Sequence, residues 1–178
     1  MLTLDALAGK KDWPAVAALA PEIVRKNVLS GPLLSAVHKL WAEALYRDKK
    51  WKEALQPLYY VFLNDPRSAA RSDAAAMAAT CMIRLEDLAQ LFRFLPAVFR
   101  TAARYDIGFN IALLEGGDTL AAKDRYDKAL ALYRLVYTKA ELLAQAQARL
   151  AVVRRRKEAV DNGSDTSATP RQMKRAVE

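Results

Sequence analysis

The sequence predicts an all-α fold, an α-solenoid of stacked antiparallel helix pairs closed by a C-terminal capping helix. Three observations point to it. Hydrophobic residues make up 53% of the 178 residues and there are only 6 Gly; Ala and Leu dominate over β-branched residues, a balance that suits helix packing and argues against a sheet. In Lys123 to Val136 (KDRYDKALALYRLV), Tyr126, Ala129, Leu130, Tyr133 and Val136 keep the 3.6-residue period of one helix face. The phrase then recurs in Asp48 to Phe62 (DKKWKEALQPLYYVF), where Trp51, Ala54, Leu55 and Leu58 stand for Tyr126, Ala129, Leu130 and Tyr133. Such recurrence is the mark of helical units stacked in a row.

In chain order, Leu2, Leu4 and Leu7 give a short first helix, broken at Gly9-Lys10-Lys11. Asp12 can cap the next helix, with Trp13 and Pro14 in its first turn. Val16, Leu19, Ile23 and Val24 form its apolar face, and Pro21 predicts a kink or an early end. Ser30-Gly31-Pro32 is a turn. Leu34, Val37, Leu40, Trp41, Ala44 and Leu45 predict a helix to Tyr46, and Asp48-Lys49-Lys50 connects it to a helix from Trp51 to about Leu63. Asn64-Asp65-Pro66 ends that one, because proline restricts the residue before it. An Ala-rich helix follows over 68–85, then an apolar span over 87–103 that Pro96 leaves as one kinked helix or two short ones. A helix over 107–122 holds Gly116-Gly117 in its middle, at a cost of roughly 1 kcal/mol per glycine, so something must approach closely there. The last helix, 139–160, has Leu142, Leu143, Ala146, Leu150 and Val153 on one face, with Lys139, Gln145, Arg149 and Arg156 reaching water. It would cap the array. Seven or eight helices are expected, followed over 161–178 by a disordered basic tail, since that stretch has few large apolar residues.

Aligned on Trp13, Trp51, Glu86 and Tyr126, the second helices begin 38, 35 and 40 residues apart. The array then has units at about 1–29, 33–66, 68–104 and 107–138, forming one domain over 1–160; two good units and two irregular pairs is the other division. The second and fourth units resemble the tetratricopeptide repeat, a helix-turn-helix unit of about 34 residues. Ala42, Trp51, Ala54, Leu58 and Pro66 match its small residue, aromatic, alanine, large residue and closing proline. Gly117, Tyr126, Ala129, Tyr133 and Val136 match it in the fourth unit, where Glu141 replaces the proline. In the third unit Ala89 fits, while Glu86 and Arg93 replace the expected aromatics. The resemblance implies a right-handed superhelix whose inner wall is made by the first helix of each unit. Carried over, that wall is Lys39, Leu40, Glu43, Tyr46 and Arg47, then Arg71, Ala74, Ala75, Ala78 and Met82, then Leu114, Glu115, Asp118 and Ala122.

No catalytic, metal or cofactor constellation emerges. His38 is the single histidine and stands where a large core residue is expected; Cys81 lacks a neighbouring base and reads as a buried thiol. Gly116-Gly117 is no phosphate loop, because no strand precedes it and no GK[ST] follows. Glu86-Asp87 reads as a helix-start pair favoured by the dipole. A formal charge of +8 admits acidic partners, though a solvated helical surface carries such an excess too. Arg154-Arg155-Arg156-Lys157, with Arg171, Lys174 and Arg175, makes the C-terminal end basic. No apolar run reaches the roughly 18 residues that span a bilayer, and no signal peptide is evident, so a cytoplasmic location is the default expectation. The expected function is a non-enzymatic scaffold or adaptor binding a protein or peptide. The alternatives are a nucleic-acid or anionic-surface binder using the basic end, and a structural segment of a larger multi-repeat protein.

Overall fold

The computed structural model describes residues 2–137 and 140–162. Among them are nine α-helices, one short 3-10 helix and no strand. The helices are α1 (Leu2–Gly9), α2 (Trp13–Arg25), α3 (Gly31–Arg47), α4 (Trp51–Asn64), α5 (Ser68–Arg84), α6 (Leu88–Phe99), α7 (Ile107–Ala121), α8 (Tyr126–Tyr133) and α9 (Ala140–Asp161). The expected single array over 1–160 instead falls into two compact units, with the boundary between Arg104 and Tyr105. In the first, each helix from α1 to α6 packs on the next, and α3 also touches α1 and α5. In the second, α7 packs on α8, and α9 lies against both.

One turn occurs four times. Lys11, Lys49, Glu86 and Asp124 all take a left-handed backbone, with φ of 60°, 58°, 57° and 58°. Each donates its amide to the carbonyl three residues back (Ala8, Tyr46, Ile83, Ala121). The next residue (Asp12, Lys50, Asp87, Arg125) donates to the carbonyl five back (Leu7, Leu45, Met82, Leu120). These are the paired bonds of a Schellman motif, which satisfies the carbonyls left over at a helix C-terminus. The second helix begins two residues after each left-handed residue, at Trp13, Trp51, Leu88 and Tyr126. The observed spacing is therefore 38, 37 and 38, above the roughly 34 of a tetratricopeptide unit.

This corrects the third unit. Glu86 is not its opening residue but the left-handed turn residue, and Asp87 caps α6 by accepting the Gln90 amide at 2.9 Å. With Leu88 in register, the equivalent positions agree in burial. Leu4, Ala42 and Ala79 are buried on the first helices, as is Gly117. Val16, Ala54, Leu91 and Ala129 are all fully buried three residues into the second helices. Ala20, Leu58, Leu95 and Tyr133 follow one turn later, also buried.

Pro21 does not end α2, and Pro96 leaves α6 a single helix; Pro57 lies inside α4 as well. A proline deprives the carbonyl four residues back of its donor. Those carbonyls belong to Ala17, Glu53 and Phe92, residues with exposed surface, where water can serve instead.

The helix expected through Val136 stops at Tyr133. In a continuing helix the Tyr137 amide would bond to the Tyr133 carbonyl. Here it donates to Asn110 Oδ1 at 2.6 Å, while Asn110 Nδ2 donates to the Asp106 carbonyl at 2.8 Å. The buried amide of α7 takes the donor, and the chain turns with Val136 still inside. Gly117 has the expected reason to be glycine. A Cβ there would lie 2.2 Å from Tyr133 Cε1 and 2.6 Å from Cδ1, and the Tyr133 hydroxyl is held by Asp118 at 2.8 Å.

Two tests follow from this packing. Replacing Lys49 or Glu86 by Gly removes the left-handed penalty and should raise stability by up to about 1 kcal/mol, whereas Lys49→Val should lower it; urea midpoints report both. Gly117→Ala should cost about 3 kcal/mol by overpacking. Most of that cost should vanish in a Tyr133→Leu background, a coupling that a double-mutant cycle measures.

Candidate functional site

The carried-over groove residues divide by register. Lys39, Glu43 and Tyr46 on α3 are half-buried and Arg47 is exposed. Lys39 reaches Asp73 of α5 at 3.9 Å, an exposed pair that contributes little. Leu40 packs against the core formed by Leu4, Val16, Ala20, Val37 and Ala44. Tyr46 meets Trp51 edge-on, with centroids 5.2 Å apart. On α5 the set is wrong. Ala74, Ala75, Ala78 and Met82 are core residues with no outward surface, because the third unit was read two residues out of register. The residues equivalent to Lys39, Leu40, Glu43 and Arg47 are Ala76, Met77, Thr80 and Arg84, all with exposed surface. Matching Asp12-Trp13 to Asp87-Leu88 in the sequence would have found this register.

Arg71 is likewise committed to structure. It donates from Nε to the Phe62 carbonyl at 2.9 Å, with its guanidinium 5.7 Å from the Phe62 ring centroid. Beside it lies a network that sequence reasoning missed. The Asp65 carboxylate is buried at the α4–α5 junction. It accepts from Ser35 Oγ at 2.6 Å, and from the Arg67 amide, Nε and Nη2 at 2.9, 2.9 and 2.8 Å. The Arg67 bonds, seconded by Ser35, hold its pKa well below the ordinary carboxylate range despite burial. Asp65 thus ties the start of α3 to the loop after α4.

In the second unit, Leu114 is buried and Glu115 and Ala122 are exposed. Asp118 accepts from Tyr133 and pairs with Arg149 Nε of α9 at 2.9 Å, with its side chain 41% exposed. Burial, then the bond to Asp118, pushes the Tyr133 phenol far above its usual pKa. Arg149 was expected to reach water. It is turned to the packed side because α7 offers it a carboxylate. Ala146 and Val153 of α9 are fully buried, Leu150 is half-buried, and Leu143 is 37% exposed; the side chains of Leu142 and Lys139 lie outside the described residues. Of the basic run, Arg154 and Arg155 are exposed and Arg156 is half-buried. Lys157 pairs with Asp127 at 3.6 Å and Asp161 at 2.8 Å. Arg171, Lys174 and Arg175, with the rest of the expected tail from 163 on, lie outside the described residues.

His38 is buried and stacked on Tyr60 at 3.9 Å, with Trp41 5.8 Å away. Its Nδ1 has no hydrogen-bond partner in the structure, and burial lowers its pKa. It stands on α3 as a neutral core ring. Cys81 is buried too, and desolvation pushes its thiol up to about 12, which suppresses the nucleophilic thiolate. Among the described residues no group of three or more His, Cys, Asp or Glu is placed to hold a metal. No described helix is long and apolar enough to cross a membrane.

A sizeable cleft in the first unit lies between the start of α2 and the end of α3. It is about 440 Å³, walled by Trp13, Pro14, Ala17, Ala18, Ala44 and Leu45, and rimmed by Arg47, Asp48 and Lys50. The Arg47 guanidinium stands 4.5 Å from the Trp13 ring centroid. Comparison with protein-family models, with curated proteins and with solved structures returned no match.

The Asp65 network sets a pH dependence. Its folded pKa is depressed, so its stabilisation is complete above the unfolded value near 3.8 and is lost as pH falls below it. Asp65→Asn should lower the melting temperature at pH 7 by on the order of 5 °C. It should also lose less further stability than wild type between pH 5 and pH 3, which melting curves at the two pH values check.

Proposed function

We propose that the chain is a non-enzymatic scaffold or adaptor that binds a protein or peptide on its helix pairs. The observation carrying this reading is the fourfold helix–turn–helix with one turn geometry at 37–38-residue spacing. Within the first unit, where each helix packs on the next, such repetition presents equivalent surfaces side by side, which is how repeat proteins make extended binding faces. The tetratricopeptide likeness of Ala42, Trp51, Ala54 and Leu58, and of Gly117, Tyr126, Ala129 and Tyr133, supports it: all but Trp51 are buried at the positions where paired helices meet. Trp51 is half-buried against Tyr46. Arg156 and Lys157 are drawn into the packing of α9, which leaves Arg154 and Arg155 as the outward part of the basic run and speaks against a phosphate-binding end. We propose cytoplasmic residence together with it.

The test is affinity capture from the native host with mass spectrometry, followed by titration of the purified pair at rising salt. A direct protein partner should survive nuclease treatment and bind the purified chain with no nucleic acid present. Recovery that depends on nucleic acid, with no binding by the nuclease-treated partner at any salt concentration, would overturn the scaffold reading.

A further inference from the structure

We propose that the cleft between α2 and α3 is a docking site for an acidic peptide segment carrying one bulky apolar side chain. The proposal rests on the scaffold reading and names its site and ligand class. The walls supply the apolar half. Ala17, Ala18 and Ala44 are small, so the space between Trp13, Pro14 and Leu45 is left open, at about 440 Å³. That is ample for a leucine- or phenylalanine-sized side chain.

The rim supplies the charge. Of the residues that line the cleft, Arg47 and Lys50 are cations against Asp48, and the turns adjoining it in sequence add Lys10, Lys11 and Lys49 against Asp12. Asp48 is already paired to Lys50 Nζ at 2.6 Å, and Asp12 is taken up capping α2 through the Ala15 amide at 3.2 Å. Arg47 and Lys49 make no ion pair among the described residues. Arg47 lies on the Trp13 ring instead, an arrangement that fixes a cation at the mouth of an apolar recess. The equivalent turn of the third unit, Arg84-Leu85-Glu86-Asp87, is net acidic where Arg47-Asp48-Lys49-Lys50 is net basic, so the third unit does not repeat this rim. Because Arg47 covers the Trp13 ring face, the aromatic is not offered to a nucleobase. The combination of apolar recess and cationic rim therefore selects a peptide over a single-stranded nucleic acid.

The probe is a fluorescein-labelled decapeptide with one central Leu flanked by Glu and Asp, titrated by anisotropy against the full chain. Its basic counterpart, with Lys for every acidic residue, and a single-stranded 12-mer oligonucleotide are the comparisons. Saturable binding of the acidic probe, weakened roughly tenfold by Arg47→Glu and again by Ala18→Trp, is the expected result. Ala18 is exposed, so its tryptophan fills the cleft from outside, and an unchanged melting curve certifies the fold. Absence of saturable binding overturns the proposal. So does binding indifferent to Ala18→Trp, which would mean surface charge alone, or an oligonucleotide that binds as tightly with the same response to both variants. A partner captured equally well by wild type and Ala18→Trp would refute this site while leaving the scaffold reading intact.

Discussion

The structure depends on one backbone device, the left-handed residue that closes each helix pair. At Lys11, Lys49, Glu86 and Asp124 the chain accepts a conformation that costs a non-glycine residue roughly 1–2 kcal/mol. The return is that two amides bond backward onto the preceding helix and the chain reverses within three or four residues. Because the turn has one geometry, it delivers the second helix at one angle and phase. The buried positions that follow, from Val16, Ala54, Leu91 and Ala129 onward, then coincide between units. Register, close helix crossing and the small residues that permit it all descend from that turn.

Where two helices of a pair meet, side-chain size adapts to the neighbour. Gly117 faces the ring of Tyr133, whereas the equivalent Ala42 and Ala79 keep a methyl. The second unit adds polar ties that the first does not share: Asn110 intercepts the Tyr137 amide, and Asp118 joins Tyr133 to Arg149. The first unit has its own tie in Asp65. In each unit a carboxylate or amide at the centre of the network is held by partners from more than one element.

Much of the fold was legible in the sequence. The 3.6-residue period placed the helices from Trp13 to Arg84 closely, though seven or eight helices were expected and nine are described, and Gly117 announced a close approach before the partner was known. The failures have physical causes. Pro21 and Pro96 looked like helix breakers, yet each leaves only one carbonyl short, on a residue with exposed surface. The left-handed turn carries no glycine, so the usual signal was missing and Glu86 was taken for a helix start. That two-residue slip moved the third unit's wall from Ala76, Met77 and Thr80 into the core. The ties of Asp65 to Ser35 and of Asn110 to Tyr137 were invisible because their ends lie 30 and 27 residues apart, beyond any local pattern. The cleft at Trp13 was unreadable for the same reason: its walls come from α2 and α3, and its emptiness comes from alanines that look like ordinary helix formers.

Four turns of one geometry set the register of the helix pairs, and residue-resolved amide hydrogen exchange tests this most directly. The amides of Asp12, Lys50, Asp87 and Arg125 lie outside the helices in otherwise exposed loops. If each is bonded to the carbonyl five residues back, all four should exchange far more slowly than unprotected amides of the same sequence context. Exchange at the unprotected rate at Asp87, with protection beginning instead where Glu86 would open a helix, would contradict the common turn and the register built on it.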